Sequence, residues 1–240
     1  MRCRRVVLLL FLPLLLVGCR AGGRGGEGEP ASLESAAQED SSGINVPFEP
    51  VFTAAPIPPE VEARMRGCSY PADARIPLSE LRYLRLSYVD FDGAPQTGEM
   101  VCNAAIAQDL CEIFEALYQA RYPIRSIRLV DDFGGSDEAS MLADNTSCFN
   151  YRTRTGQSRL SNHALGRAVD VNPLENPFVG RGGRVEPAGA ERYADRAAEF
   201  PHKIDREDLC YRLFRAHGFA WGGAWRSVRD YQHFEKPSEK

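Results

Sequence analysis

Ser161-Asn162-His163-Ala164-Leu165-Gly166-Arg167-Ala168-Val169-Asp170 sets an imidazole and a carboxylate a short turn apart, with small residues at Gly166 and Ala168 between them. Near the C-terminus, Asp230-Tyr231-Gln232-His233-Phe234-Glu235 supplies a second imidazole. His163, Asp170 and His233 together make three protein ligands with a fourth position free. That is the ligand count of a catalytic zinc site, whereas a structural site is closed by four. Zn2+ is therefore the expected cofactor, although the same donors would accept another divalent ion. Asp230 stands three residues before the last ligand, a spare acid placed to handle protons for an attacking water. A histidine and an aspartate at this spacing mean little alone. The full S-x-H-x-x-G-x-A-x-D pattern joined to D-x-x-H-F-E is a specific signal.

Those stretches resemble the zinc D-alanyl-D-alanine carboxypeptidase and L-alanyl-D-glutamate endopeptidase family. It includes vancomycin-resistance dipeptidases, bacterial wall endopeptidases and phage endolysins. The resemblance also rests on Asn145-Thr146-Ser147-Cys148-Phe149-Asn150-Tyr151-Arg152 and on Gly218-Phe219-Ala220-Trp221-Gly222-Gly223-Ala224-Trp225, and runs from about Arg66 to Lys236. It implies peptidoglycan stem peptides as the substrate and the hedgehog/DD-peptidase fold. It also implies that Arg152 contacts substrate and stabilises the transition state, a task suited to the fixed fork of a guanidinium. Arg154 competes for that role. Ser161 is expected to hydrogen-bond near the site. The dipeptidase branch has a glutamate where this chain has Asp230, and the wall and phage endopeptidases have aspartate, which points towards the endopeptidase branch. Glu235 is either an acceptor for a ligand imidazole or a plain cross-strand charge. Trp221 and Trp225 are candidates for the cleft wall, with core burial the competing reading for at least one. His202 and His217 are read as non-ligands.

The N-terminal residues set the expected location. Met1-Arg2-Cys3-Arg4-Arg5 is a basic n-region, and Val6 to Val17 is apolar but too short to span a membrane. Leu16-Val17-Gly18-Cys19 looks like a lipobox, so residues 1–18 read as a lipoprotein signal peptide and Cys19 as the lipidated first residue of the mature chain. This places the protein in the cell envelope, lipid-anchored and facing periplasm or wall; which membrane holds the anchor stays open. From residue 19 to about 60 the chain is rich in Gly, Ser, Glu, Ala and Pro and reads as a disordered tether. A flexible segment of about 40 residues has a root-mean-square span of about 35 Å. The peptidase domain is expected over residues 61–240.

The formal charge is −4, and losing Arg2, Arg4 and Arg5 with the signal makes it −7. An acidic chain with no Lys/Arg cluster argues against a nucleic-acid partner. With Cys3 removed and Cys19 lipidated, Cys68, Cys102, Cys111, Cys148 and Cys210 remain. Four of them are enough for two disulfides in an oxidising compartment, with the pairing undetermined. None lies in a C-x-x-C arrangement, so thiol redox chemistry is not indicated.

Several elements must position these residues. Leu81 to Phe91 alternates as a half-buried strand, followed by a turn and a short strand at 99–102. Ile106, Leu110, Ile113, Phe114 and Leu117 share a helix face, with Asn103 as N-cap and Pro123 past its end. Ile127 to Val130 reads as a strand. Arg167 to Val171 should be the strand that delivers Asp170. The stretch 176–200 is a surface loop beside the site. Asp205 is expected to cap a helix through Leu209, Leu213 and Phe214, closed by Gly218. Gln232 to Glu235 ends the fold as a strand. The fold class is α+β, a small mainly antiparallel sheet with helices on one side.

The sequence thus points to a monomeric envelope zinc peptidase cutting D-amino-acid-containing bonds of stem peptides. L-Ala-D-Glu endopeptidase and D-Ala-D-Ala carboxypeptidase both remain open. The rivals are a non-catalytic zinc-containing wall-binding lipoprotein and a zinc amidase, the latter without this motif set.

Overall fold

The strand read at Leu81 forms the spine of the molecule because its two faces are both apolar. In the computed structural model, which describes residues 37–39, 45–153 and 160–236, β4 (Leu81–Val89) is flanked by β3 (Phe52–Ala55) and β5 (Pro95–Asn103), all antiparallel. Strand geometry sends alternate side chains to opposite faces. Leu84, Leu86 and Tyr88 with Met100 and Cys102 face the main core, while Leu81, Tyr83 and Val101 face a second, smaller one. β1 (Ala37–Glu39) and β2 (Asn45–Pro47) form a separate antiparallel pair.

The main core is closed by α2 (Ala107–Gln119), whose Leu110, Ile113, Phe114 and Leu117 are fully buried at helical spacing. Asn103 accepts a hydrogen bond from the Ala105 N–H and so caps the 3-10 turn that leads into this helix. Across the sheet, α1 (Pro59–Met65) buries Val61 and Met65 in the smaller core, beside Leu129 and Phe149. β3 and α1 move the boundary expected at residue 60. Phe52–Ala55 pairs with Leu86 to Tyr83, so the stretch read as tether up to 60 ends before it. The weak apolar signal there is supplemented by backbone pairing, which composition does not register. The signal segment, Cys19 and most of the tether lie outside the described residues, as does Arg154.

The rest of the chain is built from very short strands. β6 (Ser126–Ile127) pairs in parallel with β7 (Asn145–Thr146). The strand expected over 127–130 is thus cut short, and the chain turns into a 3-10 segment at Val130–Phe133. β8 (Ala168–Asp170), β11 (Ala220–Trp221) and β13 (His233–Glu235) form one antiparallel sheet in the order β11-β13-β8. β9 (Phe178–Val179), β10 (Val185–Glu186) and β12 (Arg229–Asp230) form another in the order β10-β9-β12. The short helix α3 (Asp137–Leu142) is capped by Ser136. α4 (Leu209–Ala216) packs against α2 and brings Phe214 into the main core with Phe219, Phe234, Val169 and Val171.

Its cap differs from the expectation. Asp208, not Asp205, accepts from the Cys210 and Tyr211 N–H groups. Asp205 instead accepts from Glu207 N in a tight turn just before the helix. The end is as read, with Gly218 in a left-handed conformation after the last turn. The five cysteines among the described residues are all free thiols, so no disulfide staples the fold. Four of them are buried and pack as small apolar side chains.

Candidate metal centre and active site

The segment Ser147–Asn150 is where the site is assembled. Ser147 and Asp170 exchange backbone hydrogen bonds, N to O in both directions, at 3.1 and 2.9 Å. The next residue, Cys148, accepts the Nδ1 proton of His163 on its carbonyl at 2.7 Å. Asn150 N then bonds the carbonyl of His163, and Phe149 N bonds Val101 on β5. One extended strip therefore fixes both residues of the first motif against the central sheet. Gly166 lets the chain between them lie flat on that sheet. Its φ is +63°, and a Cβ there would stand 2.6 Å from Asn103 N.

β13 pairs with β8 so that His233 lies directly opposite Asp170. His163, Asp170 and His233 are all buried and each brings one donor atom into a group within 4.8 Å. His163 Nε2 is 3.1 Å from Asp170 Oδ2, His233 Nδ1 is 2.9 Å from Asp170 Oδ1, and the two nitrogens are 3.2 Å apart. The outer ring nitrogens are both occupied. His163 Nδ1 donates to Cys148 O, and His233 Nε2 donates to Glu235 Oε2 at 3.2 Å. This network commits His163 Nδ1 and His233 Nε2 to outward partners and turns His163 Nε2 and His233 Nδ1 towards each other across a carboxylate. Two imidazole nitrogens this close beside a carboxylate gather a positive charge between them, a proton or a cation, so the donor set fits a metal ion.

The electrostatics agree. Burial disfavours the charged form of His233, but its bonds to Asp170 and Glu235 outweigh this and push it up to about 10. Burial would raise Asp170, yet both imidazoles hold it well below the usual carboxylate range. The cluster is thus arranged to attract positive charge.

Asp230 lies beside it. Its Oδ2 is 4.0 Å from His233 Nδ1, and its Oδ1 is buried without a hydrogen-bond partner. Burial pushes Asp230 up to about 7, opposed by His233 and reinforced by Asp170. A carboxyl poised near neutrality suits proton transfer in both directions. It is brought in by a close approach that sequence reading missed. A Cβ on Gly222 would stand 2.7 Å from Asp230 O, 2.8 Å from its Cβ and 3.2 Å from His233 Cβ. The W-G-G-x-W run held that information, since only a bare backbone fits there.

A cleft of about 800 Å³ opens over the cluster, lined by Asp137, Arg152, Ser161, Trp225 and Asp230 among others. Arg152 is held by Asp137 at 2.8 Å, and its Nε is buried without a partner. Ser161 bridges the two parts: its N–H donates to Arg152 O, and its Oγ accepts from His163 N. Glu235 also accepts from Asn162 Nδ2, so it ties both histidine-bearing segments together. Trp225 is at the wall, its ring 5.3 Å from His233. Trp221 is not. It is buried against Tyr211 and donates from Nε1 to Tyr231 O, so its expected place on the cleft wall is corrected to the core. His202 stacks on Phe91 and His217 meets Asp109, both apart from the cluster.

Against known proteins, residues 155–236 match a family described as D-alanyl-D-alanine carboxypeptidase. This segment holds all three residues of the donor cluster and Asp230, while Arg152 precedes it. No curated protein and no solved structure matches the chain. The buried cluster of His163, Asp170 and His233 lies within the matched segment and offers three donors able to hold a metal ion.

Proposed function

We propose that this protein is a zinc peptidase that hydrolyses D-amino-acid-containing bonds of peptidoglycan stem peptides, held in the cell envelope through lipidated Cys19. The observation that carries the reading is the convergence of His163 Nε2, Asp170 and His233 Nδ1, with both imidazoles oriented from behind. These three would hold the ion, with Glu235 and the Cys148 carbonyl keeping the imidazoles in register. Zinc bound there supplies Lewis acidity for the scissile carbonyl and for the attacking water.

The chain's own groups do the rest. Asp230, raised to about 7, takes a proton from the attacking water and returns it to the leaving amine. Its unpartnered Oδ1 is the free acceptor for that proton. Arg152, pinned by Asp137, presents a buried and unsatisfied Nε–H as a donor for the carbonyl oxygen as negative charge grows on it. Trp225 shields the donor cluster from bulk water on one side. Cys19 and the signal segment support envelope anchoring by their residue pattern.

The test is digestion of purified peptidoglycan with the zinc-loaded protein, read by mass spectrometry of the released muropeptides. Release of D-alanine identifies a carboxypeptidase, and cleavage after L-alanine an endopeptidase. Either product should vanish with chelator and with His233→Ala. Asp230→Ala should cut the rate by about 10²- to 10⁴-fold, the usual share of general acid–base catalysis. A protein that binds zinc yet releases nothing from any wall would replace the enzyme reading with that of a wall-binding module.

A further inference from the structure

The loop read as lying beside the site has a defined shape, and it reaches the reaction centre. β9 and β10 form a hairpin with Val179 opposite Val185 and Phe178 opposite Glu186, closed by a 2.7 Å bond from Gly180 N to Arg184 O. β9 pairs on its other side with β12, placing Phe178 opposite Asp230. Asp230, Phe178 and Glu186 are therefore one cross-strand row, and all three line the cleft. Neighbouring strands are about 4.8 Å apart, so the row places Glu186 about 10 Å from Asp230.

At the far end of that row a guanidinium balances the carboxylate of Glu186. Arg184 is clamped to Glu186 through Nη1 at 3.1 Å, with its guanidinium 5.6 Å from the centre of the Phe178 ring. The stack depends on a bare backbone. A Cβ at Gly180 would meet Phe178 Cε1 at 2.9 Å and Arg184 Nε at 3.5 Å. The ion pair engages one edge of a fork that has five N–H donors. Arg181, at the tip before Gly182 and Gly183, adds a second guanidinium to the lining. The other end of the cleft carries Asp170, Asp230 and Glu235.

We infer that the Phe178–Glu186 hairpin is a carboxylate-recognising subsite, in which Arg184 and Arg181 bind an acidic group of the substrate two to three residues from the cleaved bond. An extended peptide advances about 3.3 Å per residue, so three residues cover the distance along the row. Substrates too short to reach the hairpin gain nothing from it. The carboxylate is either carried by an internal acidic residue or is the peptide's own C-terminus. The inference rests on the peptidase reading above, and it names the feature that such a peptidase selects.

The experiment uses the zinc-loaded protein and synthetic stem-type tetra- and pentapeptides in matched pairs. One pair differs only by carboxylate or carboxamide on the internal acidic residue, the other only at the C-terminus. The wild type should favour the carboxylate of one pair by about 5- to 10-fold in kcat/KM, a charge-assisted contact at a partly exposed site. Which pair responds identifies the source. In Arg184→Gln with Arg181→Gln the preference should fall below about 2-fold. That ratio separates recognition from a structural defect, which would lower both rates together. A preference that survives the double variant, or its absence from both pairs in the wild type, overturns the subsite. If no peptide is cut although zinc is bound, the hydrolytic reading fails. The same pairs then test the subsite by titration calorimetry, where the Kd ratio should show the same loss.

Discussion

β4 and β5 pair over nine residues in unbroken register, whereas no strand that carries a residue of the site exceeds three. The two regions are stabilised in different ways. The β3–β5 sheet is held by its own ladder and by the apolar face of α2. The site region is held by polar side chains that replace a ladder. Asn172, fully buried with φ +45°, donates to Pro123 O and accepts from Arg125 N. Asn176 donates to the carbonyls of Asn172 and His202 and accepts from Ile204 N and Arg196. Arg196 donates to the carbonyls of Glu175, Tyr193 and Ile204 and lies over the Tyr231 ring. Irregular backbone can be buried when side chains satisfy it, and irregular backbone is what lets one cleft collect groups from distant parts of the chain.

Four measurements would break or sharpen this contrast. The largest effect should come from Phe214, which packs between α2 and the site sheet and stacks on Phe234. Phe214→Ala should cost about 3–5 kcal/mol in denaturant unfolding and loosen both regions together; a local effect would show that the two do not share a core. Next, Glu235→Gln should weaken zinc affinity by about 10- to 100-fold through the loss of the negative charge on the acceptor behind His233. Its stability in chelator should hardly change, and a large change would mean that Glu235 is structural first.

Asn176→Ala should cost about 1–3 kcal/mol by orphaning buried backbone groups. Hydrogen exchange should then accelerate over residues 172–204 while β4 and β5 stay protected. Equal acceleration in both would erase the distinction. The smallest effect is a pH dependence. Glu175 and Asp144 are buried together, and burial followed by the Asp144 charge raises Glu175 to about 8. The ordinary glutamate value is about 4.3, so between about 4.3 and 8 the folded state binds more protons than the unfolded one. Stability must therefore fall as pH rises through that window. Glu175→Gln, which keeps a donor towards Asp144, should flatten that slope in a thermal-melt series; an unchanged slope would remove the pair as its source.

The same contrast explains what the sequence revealed. Alternation in Leu81–Val89 and the spacing of Leu110, Ile113, Phe114 and Leu117 are patterns of burial, and burial is periodic in regular elements. The donor residues were legible for another reason: metal chemistry restricts residue type. The strands that carry Asp170 and His233 were legible as elements, but their pairing, which sets the two residues opposite each other, was not. The roles of Asn172, Asn176 and Arg196 were not legible, because a polar residue in a loop looks the same whether it faces water or a buried carbonyl. Trp221 and Trp225 show the same limit. They sit in one motif, and only the fold of the chain around Gly222 separates the core side chain from the cleft side chain.

The main core is shared between residues 84–127 and residues 148–234, with Val169, Phe214, Phe219 and Phe234 packed against side chains from β4, β5 and α2. Residues 155–236, which bear the family pattern, therefore encode the reagents of the site without the surface on which those reagents are mounted. Transplanted alone, that segment would carry its aromatic side chains into solvent and its donor atoms into no fixed arrangement. The unit that is recognisable in a sequence is smaller than the unit that can fold. Engineering that exchanges active sites between such peptidases must move the supporting sheet and helix with the motif.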